Sequence, residues 1–337
     1  MVTDIIPLNR SRTCPTLRLT SGSSCARTGH IPGSRLVAEA RRISAFAIAA
    51  TLASCTHPLS TGGRDVGAGH EGDSGAADSI DSGFTRISVG RNFICGLRAD
   101  GSLVCSGDSA DGQASPPVGR FTSISAGGDH ACAIDGEQKI SCWGANSDGQ
   151  ATPPTGLFTQ VSTGNTHSCG LQPDSKVLCW GSNSYGEAAP PDASFAKISC
   201  GEYNTCGLRT DGSITCWGWN DSNEPEPSGA FVDLSAGRYH ACALRPNGEA
   251  VCWGTNAFGE ANAPGGSFSQ VEAGAFISCA LSEGGRVSCW GSNSFGVRDM
   301  PSSSFAQISL YASDACGLLS DGSVVCWSGS PMLGLAP

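Results

Sequence analysis

The chain has 337 residues, among them 18 cysteines, 46 glycines and 18 prolines, and a net charge of −10. A hydrophobic content of 39% is enough for a packed core and argues against a wholly disordered chain. The acidic balance argues against nucleic acid as a partner, and the glycine density argues against a mostly helical fold.

The first 54 residues differ from the rest. They hold seven arginines against Asp4 and Glu39, which leaves a net −15 on the residues that follow. After Arg41 and Arg42 comes an apolar run from Ile43 to Ala53, too short to span a bilayer and suited to the core of a signal peptide. The run ends Leu52-Ala53-Ser54-Cys55 and resembles a bacterial lipobox, which implies lipidation of Cys55 and removal of residues 1–54. Thr56 stands where an aspartate would resemble inner-membrane retention, so the resemblance implies the outer membrane. A signal peptide does not begin 40 residues upstream of its charged region. Residues 1–36 are therefore read as an over-long gene start, with translation beginning near Val37, and Cys14 and Cys25 as absent from the mature protein. Residues 55–83 are the lipidated cysteine and a Gly/Ser/Asp-rich tether.

From Phe84 to the end the sequence repeats. Phe84, Phe121, Phe158, Phe195, Phe231, Phe268 and Phe305 open seven copies, spaced 37, 37, 37, 36, 37 and 37 residues apart. A period of this size marks a solenoid or a propeller. Each copy offers a short alternating run, a polar loop, a Cys-Ala/Gly-Leu segment, a turn, a second alternating run ending Cys-Trp-Gly, and a connection rich in Asn, Gly and Pro. Period-2 runs between turn residues predict strands, and no stretch keeps a helical period. The fold class is all-β.

The copies resemble RCC1-type (regulator of chromosome condensation) repeats. Gly127-Gly128-Asp129-His130-Ala131-Cys132-Ala133-Ile134 and Trp143-Gly144-Ala145-Asn146-Ser147-Asp148-Gly149-Gln150 carry the likeness. So do Gly237-Arg238-Tyr239-His240-Ala241-Cys242-Ala243-Leu244 and Trp253-Gly254-Thr255-Asn256-Ala257-Phe258-Gly259-Glu260. The resemblance implies a seven-bladed β-propeller over residues 84–337. Copy 1 lacks the tryptophan, copy 4 has Asn223 for a glycine, and copy 7 lacks the N-x-x-G loop, as suits the ends of a closing ring and irregular units.

Every copy has two cysteines ten positions apart: Cys95/Cys105, Cys132/Cys142, Cys169/Cys179, Cys206/Cys216, Cys242/Cys252, Cys279/Cys289 and Cys316/Cys326. In copy 4, Arg209 to Ser213 suits a three-residue hairpin loop with Gly212 left-handed. Pairing Arg209 with Ser213 sets Cys206 opposite Cys216 at a non-hydrogen-bonded position, where Cα atoms approach to about 4.5 Å. Seven disulfides across seven hairpins follow, each closing a short loop worth roughly 2–3 kcal/mol. Zinc is disfavoured, because each copy has two sulfurs without C-x-x-C spacing. Cys200 is left over and reads as a buried free thiol.

His130, His167 and His240 share one repeat register and read as blade hydrogen bonding, as the tryptophans read as blade packing. No nucleophile elbow, P-loop, metalloprotease or dinucleotide fingerprint occurs, so neither an enzyme nor a cofactor is expected. Binding shows at positions that change between copies. One loop register holds Asn92, Asp129, Thr166, Tyr203, Tyr239, Phe276 and Ser313; a second holds Asp111, Asp148, Tyr185, Ser222, Phe258, Phe295 and Met332, with Trp219 nearby. Tyr203, Tyr239, Phe276, Tyr185, Trp219, Phe258 and Phe295 are the candidate binding residues, because aromatic residues gathered on adjacent loops mark protein-binding hot spots.

The expected molecule is a monomeric, non-enzymatic binding protein of the cell envelope, lipid-anchored or secreted, that holds a protein partner. It touches membrane only through its anchor. A carbohydrate- or envelope-polymer-binding propeller is the alternative. The family resemblance also implies a guanine-nucleotide exchange factor-like regulator, which the signal segment and the disulfides disfavour.

Overall fold

The structure, a computed structural model, describes residues 83–219, 225–294 and 296–327. The signal segment, Cys14, Cys25, Cys55, the tether before Gly83, Ser222, Phe295 and Met332 lie outside them.

Seven three-stranded antiparallel sheets follow one another, each built from one copy with its strands in sequence order. They cover residues 84–107, 121–144, 160–181, 195–218, 233–254, 270–291 and 305–326, blades 1 to 7. In blade 4 the inner strand is Phe195–Cys200, the middle strand Asn204–Arg209 and the outer strand Ile214–Gly218. Middle strands are buried along nearly their whole length, so beyond the buried polar residues that bond between blades their side chains are small or apolar, as in Cys-Ala-Leu. The core lies between blades: Cys132 and Ile134 of blade 2 pack with Phe158, Val161 and Trp180 of the next copy.

The ring closes without exchanging a strand. The Gln307 side chain of blade 7 brackets Ile87 of blade 1, accepting its N–H at 3.1 Å and donating to its carbonyl at 3.0 Å. The Val89 N–H donates to the Ser309 hydroxyl at 2.9 Å. That last bond belongs to a series around the central channel. Ser88, Ser125, Ser162, Ser199 and Ser235 each accept an N–H from the inner strand of the following blade at 2.9–3.0 Å. Blade 6 departs from the series, with Glu272 in the serine register.

Two glycine registers are required by geometry. A Cβ on Gly127, Gly164, Gly201 or Gly237 would lie 2.0–2.5 Å from the carbonyl oxygen of the next blade, so only glycine lets the inner strands converge there. The hairpin turn needs a left-handed residue, and Gly101, Gly212, Gly248, Gly285 and Gly322 supply it with φ between 76° and 88°. Gln138 and Ser175 hold the same conformation in blades 2 and 3, with φ of 64° and 67°. The turn carbonyl then accepts the N–H of the next copy's opening residue, as from Phe121 to Gly101 and from Phe195 to Ser175, both at 2.8 Å.

The register across each hairpin is the expected one, with Cys206 opposite Cys216 and Leu208 opposite Ile214. All seven expected disulfides are formed: Cys95–Cys105, Cys132–Cys142, Cys169–Cys179, Cys206–Cys216, Cys242–Cys252, Cys279–Cys289 and Cys316–Cys326. Their Cα atoms stand 4.0–4.1 Å apart, closer than the roughly 4.5 Å of an ordinary non-hydrogen-bonded pair. The two ends of each bridge differ in burial. The middle-strand cysteines are fully enclosed, whereas Cys105, Cys142, Cys179, Cys216, Cys252, Cys289 and Cys326 are half-buried on the outer strands. Each bridge thus ties the strand nearest solvent to the most protected one. Cys200 is a buried free thiol, and burial pushes it up to about 12.

Candidate binding face

The end of an inner strand and the end of an outer strand lie at the same end of an antiparallel sheet. The two variable registers therefore meet on one face, opposite the hairpin turns. On that face six of the seven candidate aromatic residues form one connected group. Tyr185 contacts Tyr203 and Trp219, with ring centroids 5.6 and 4.5 Å apart. Tyr203 stacks on Tyr239 at 6.1 Å, Tyr239 reaches Phe276 at 6.3 Å, and Phe276 meets Phe258 edge-on at 5.4 Å.

Loop chemistry fixes the two outermost rings. Glu187 accepts the Tyr185 N–H at 2.7 Å and Glu260 accepts that of Phe258 at 2.7 Å, each two residues on. Asn183 and Asn256 accept the N–H of Ala188 and Ala261, which closes the same loops. With the backbone turned inward, the rings point out: Tyr185 is 46% exposed, Phe258 56% and Trp219 36%. Tyr203, Tyr239 and Phe276 are half-buried beneath them.

Arg238 sits at the centre of the group. Its guanidinium carbon lies 4.9 Å from the Tyr239 ring centroid, 5.6 Å from Tyr203 and 5.7 Å from Phe276. It is anchored by Glu202 at 3.4 Å, whose carboxyl is raised by burial although Arg238 and Arg91 oppose the shift. Across the channel mouth Arg91 bonds Asp129 at 3.2 Å and also Asn165. Between these two ion pairs a cavity of about 390 Å³ is lined by Arg91, Glu202, Tyr203, Arg238, Phe276 and Val297, among others. Arg238 stands inside the Gly237–Leu244 repeat motif, where nothing in the motif itself marks it for a role. Its signal was there, since its register reads Arg91, Gly128, Asn165, Glu202, Arg238, Ala275 and Ala312.

The histidines lie apart from this face, between blades. His130, His167 and His240 bond Ser168, Thr205 and Ser278 of the following blade at 2.8 Å through Nε2. Each hydroxyl donates its proton to a loop carbonyl (Gln150, Glu187 or Glu260), so the ring nitrogen is the donor and Nδ1 is left unprotonated. The same carbonyls accept Trp180, Trp217 and Trp290 at 2.8–2.9 Å. Burial pushes His130 down to about 3 and His167 and His240 to about 4, with neighbouring His167 adding to the effect at His130. His167, Cys169 and Cys200 bring potential ligand atoms within 4.8 Å of one another, but Cys169 is bonded to Cys179, so the three do not form an open metal site.

Residues 84–113, 121–150, 158–187, 195–224, 231–260 and 268–297 match the family described as regulator of chromosome condensation (RCC1) repeat. The copy opened by Phe305, which lacks the N-x-x-G loop, is outside these matches. Among solved structures, the chain is similar to the ectodomain of the Physcomitrella patens receptor kinase CR4. Identity is 27%, 72% of each chain is covered, and the TM-score is 0.63. It is also similar to the CRINKLY WD40 ectodomain of the Arabidopsis thaliana receptor kinase ACR4, at 25% identity and TM-score 0.63, covering 76% of this chain and 99% of that one. Yeast RCC1 (Prp20), solved bound to Kap60, is 16% identical with a TM-score of 0.54, covering 62% of this chain and 70% of that one; this likeness concerns the fold alone. No curated protein matches the chain.

Proposed function

The chain belongs to the RCC1 repeat family, and from that premise we propose that it is a non-enzymatic binding propeller whose aromatic face holds a protein partner. The observation that carries the reading is the connected group of Tyr185, Tyr203, Trp219, Tyr239, Phe258 and Phe276 around Arg238. Tyrosine, tryptophan and arginine dominate protein-binding hot spots because each combines a large apolar area with a polar tip. The partner is outside the cytosol. Seven disulfides and the likeness to two receptor ectodomains support that compartment.

Attachment to the envelope runs through the Cys55 lipid anchor. Phe84 donates to the Gly322 turn carbonyl at 3.2 Å, so the chain enters the ring at the turn face, opposite the aromatic residues. The test is crosslinking with mass spectrometry on intact cells, comparing the native protein with a Tyr203→Ser, Tyr239→Ser, Phe276→Ser triple variant. Loss of the crosslinked partner from the variant is expected; an unchanged partner removes the face from consideration. A second reading, binding of carbohydrate or envelope polymer, is favoured by the exposed rings of Trp219 and Tyr185, which could stack on sugars. Glycan-array binding that disappears in the same variant, with no protein captured, would select it.

A further inference from the structure

The unpaired Cys200 does not stand in isolation. It ends the inner strand of blade 4, where its N–H donates to the Ser162 hydroxyl at 2.9 Å and its thiol to the Ser162 carbonyl at 3.3 Å. Ser162 is the cross-strand partner of Cys169 in blade 3. The thiol therefore lies over the inner and middle strands of blade 3, within 4.8 Å of the Cys169 sulfur, one end of the Cys169–Cys179 bridge, and of the nearest His167 ring nitrogen. The Thr205 hydroxyl lies 3.8 Å from the Cys200 sulfur, 3.9 Å from the Cys169 sulfur and 2.8 Å from His167 Nε2. Cys200 is the free cysteine among the described residues, and the blade 3 bridge is the one that shares a cluster with it.

We propose that Cys200 and the Cys169–Cys179 disulfide form an internal exchange pair that switches an intra-blade bridge for an inter-blade one. In the step, the Cys200 thiolate attacks the Cys169 sulfur. A Cys169–Cys200 bond forms, the Cys169–Cys179 bond breaks, and the leaving Cys179 thiolate takes up the proton that Cys200 gave up. One disulfide and one thiol are present before and after, so no outside oxidant or reductant is consumed. The exchange ties the middle strand of blade 3 to the inner strand of blade 4, next to the loops of Tyr185 and Tyr203. It also moves the free thiol from buried Cys200 to half-buried Cys179.

Burial holds the Cys200 thiol at about 12, so the exchange is slow at neutral pH and follows the thiolate fraction. The full-length oxidised protein is incubated in its folded state at pH 7, 8, 9 and 10 without added thiol, quenched in acid, alkylated and mapped without reduction. The expected result is a peptide pair joined through Cys169 and Cys200 together with alkylated Cys179, appearing about tenfold faster per pH unit. A Cys200→Ser variant is expected to keep Cys169–Cys179 at every pH. Retention of Cys169–Cys179 alone in the native protein overturns the proposal. Equal scrambling among the other six bridges overturns it too, since that would be general unfolding and not a local exchange.

Discussion

The two ends of the propeller are made from the same seven copies and could hardly differ more. At the turn end, every blade repeats one device: a left-handed residue whose carbonyl accepts the next copy's N–H. At the other end the backbone repeats through blades 2 to 6 and the side chains do not. Blades 1, 2 and 7 present Asn92, Asp129 and Ser313, whereas blades 4, 5 and 6 present Tyr203, Tyr239 and Phe276. Asp129 of blade 2 and Thr166 of blade 3 sit in loops of the same backbone form as the aromatic blades, so the aromatic residues are not needed to build it. Sameness marks what closes the ring, and difference marks what the ring is for.

The largest expected effect falls on the repeated part and separates it from the binding face. The buried imidazoles stay neutral in the fold, while in the unfolded chain they take up protons below about 6.5. Their contribution is complete above that pH and is lost as the pH falls from 6.5 towards 4, by about 1.4 kcal/mol per pH unit for each ring. Glu272, raised by burial to about 7, acts in the opposite sense over pH 4.5 to 7 and trims the slope. Denaturant titration should therefore show a net fall in stability of about 3–4 kcal/mol between pH 7 and pH 5. His167→Asn, which copies Asn204 of blade 4, should make that fall shallower by one ring. A loss of partner binding well before unfolding would instead put the histidines on the functional side of the comparison.

Gly164→Ala strikes where the strands converge beneath the variable face. Its Cβ would meet the Gly201 carbonyl at 2.5 Å, and backbone cannot step aside cheaply. A destabilisation of about 3 kcal/mol is expected by calorimetry or denaturant titration. The smallest effect is at the opposite end. Gln138→Gly and Ser175→Gly relieve the left-handed conformation and should each stabilise by about 0.5–1 kcal/mol, measured by thermal unfolding.

Much of this was legible in the sequence for a definite reason. The 37-residue period and the turn chemistry fix strand order and hairpin register, so the seven cysteine pairs followed by counting outward from Gly212. The aromatic group was legible because two registers one blade apart had to lie side by side. What escaped was every contact made across blades by ordinary residues. Ser125 or Ser199 reads as the polar half of an alternating strand, and only the packed ring shows that its hydroxyl accepts an N–H 38 or 37 residues further on. Arg238 escaped for the same reason, because its partner Glu202 and the Tyr203 ring come from the neighbouring copy.

The most direct test compares the two halves of the variable face in one assay. Affinity for the crosslinked partner is measured by titration calorimetry for the triple serine variant of Tyr203, Tyr239 and Phe276, and for a polar-half variant, Asn92→Ala with Thr166→Ala. If the aromatic half is what holds the partner, its variant loses about 100-fold or more while the polar variant stays within about threefold. The melting temperature should move only a few degrees in either. A loss in the polar variant with the aromatic variant still binding would contradict it.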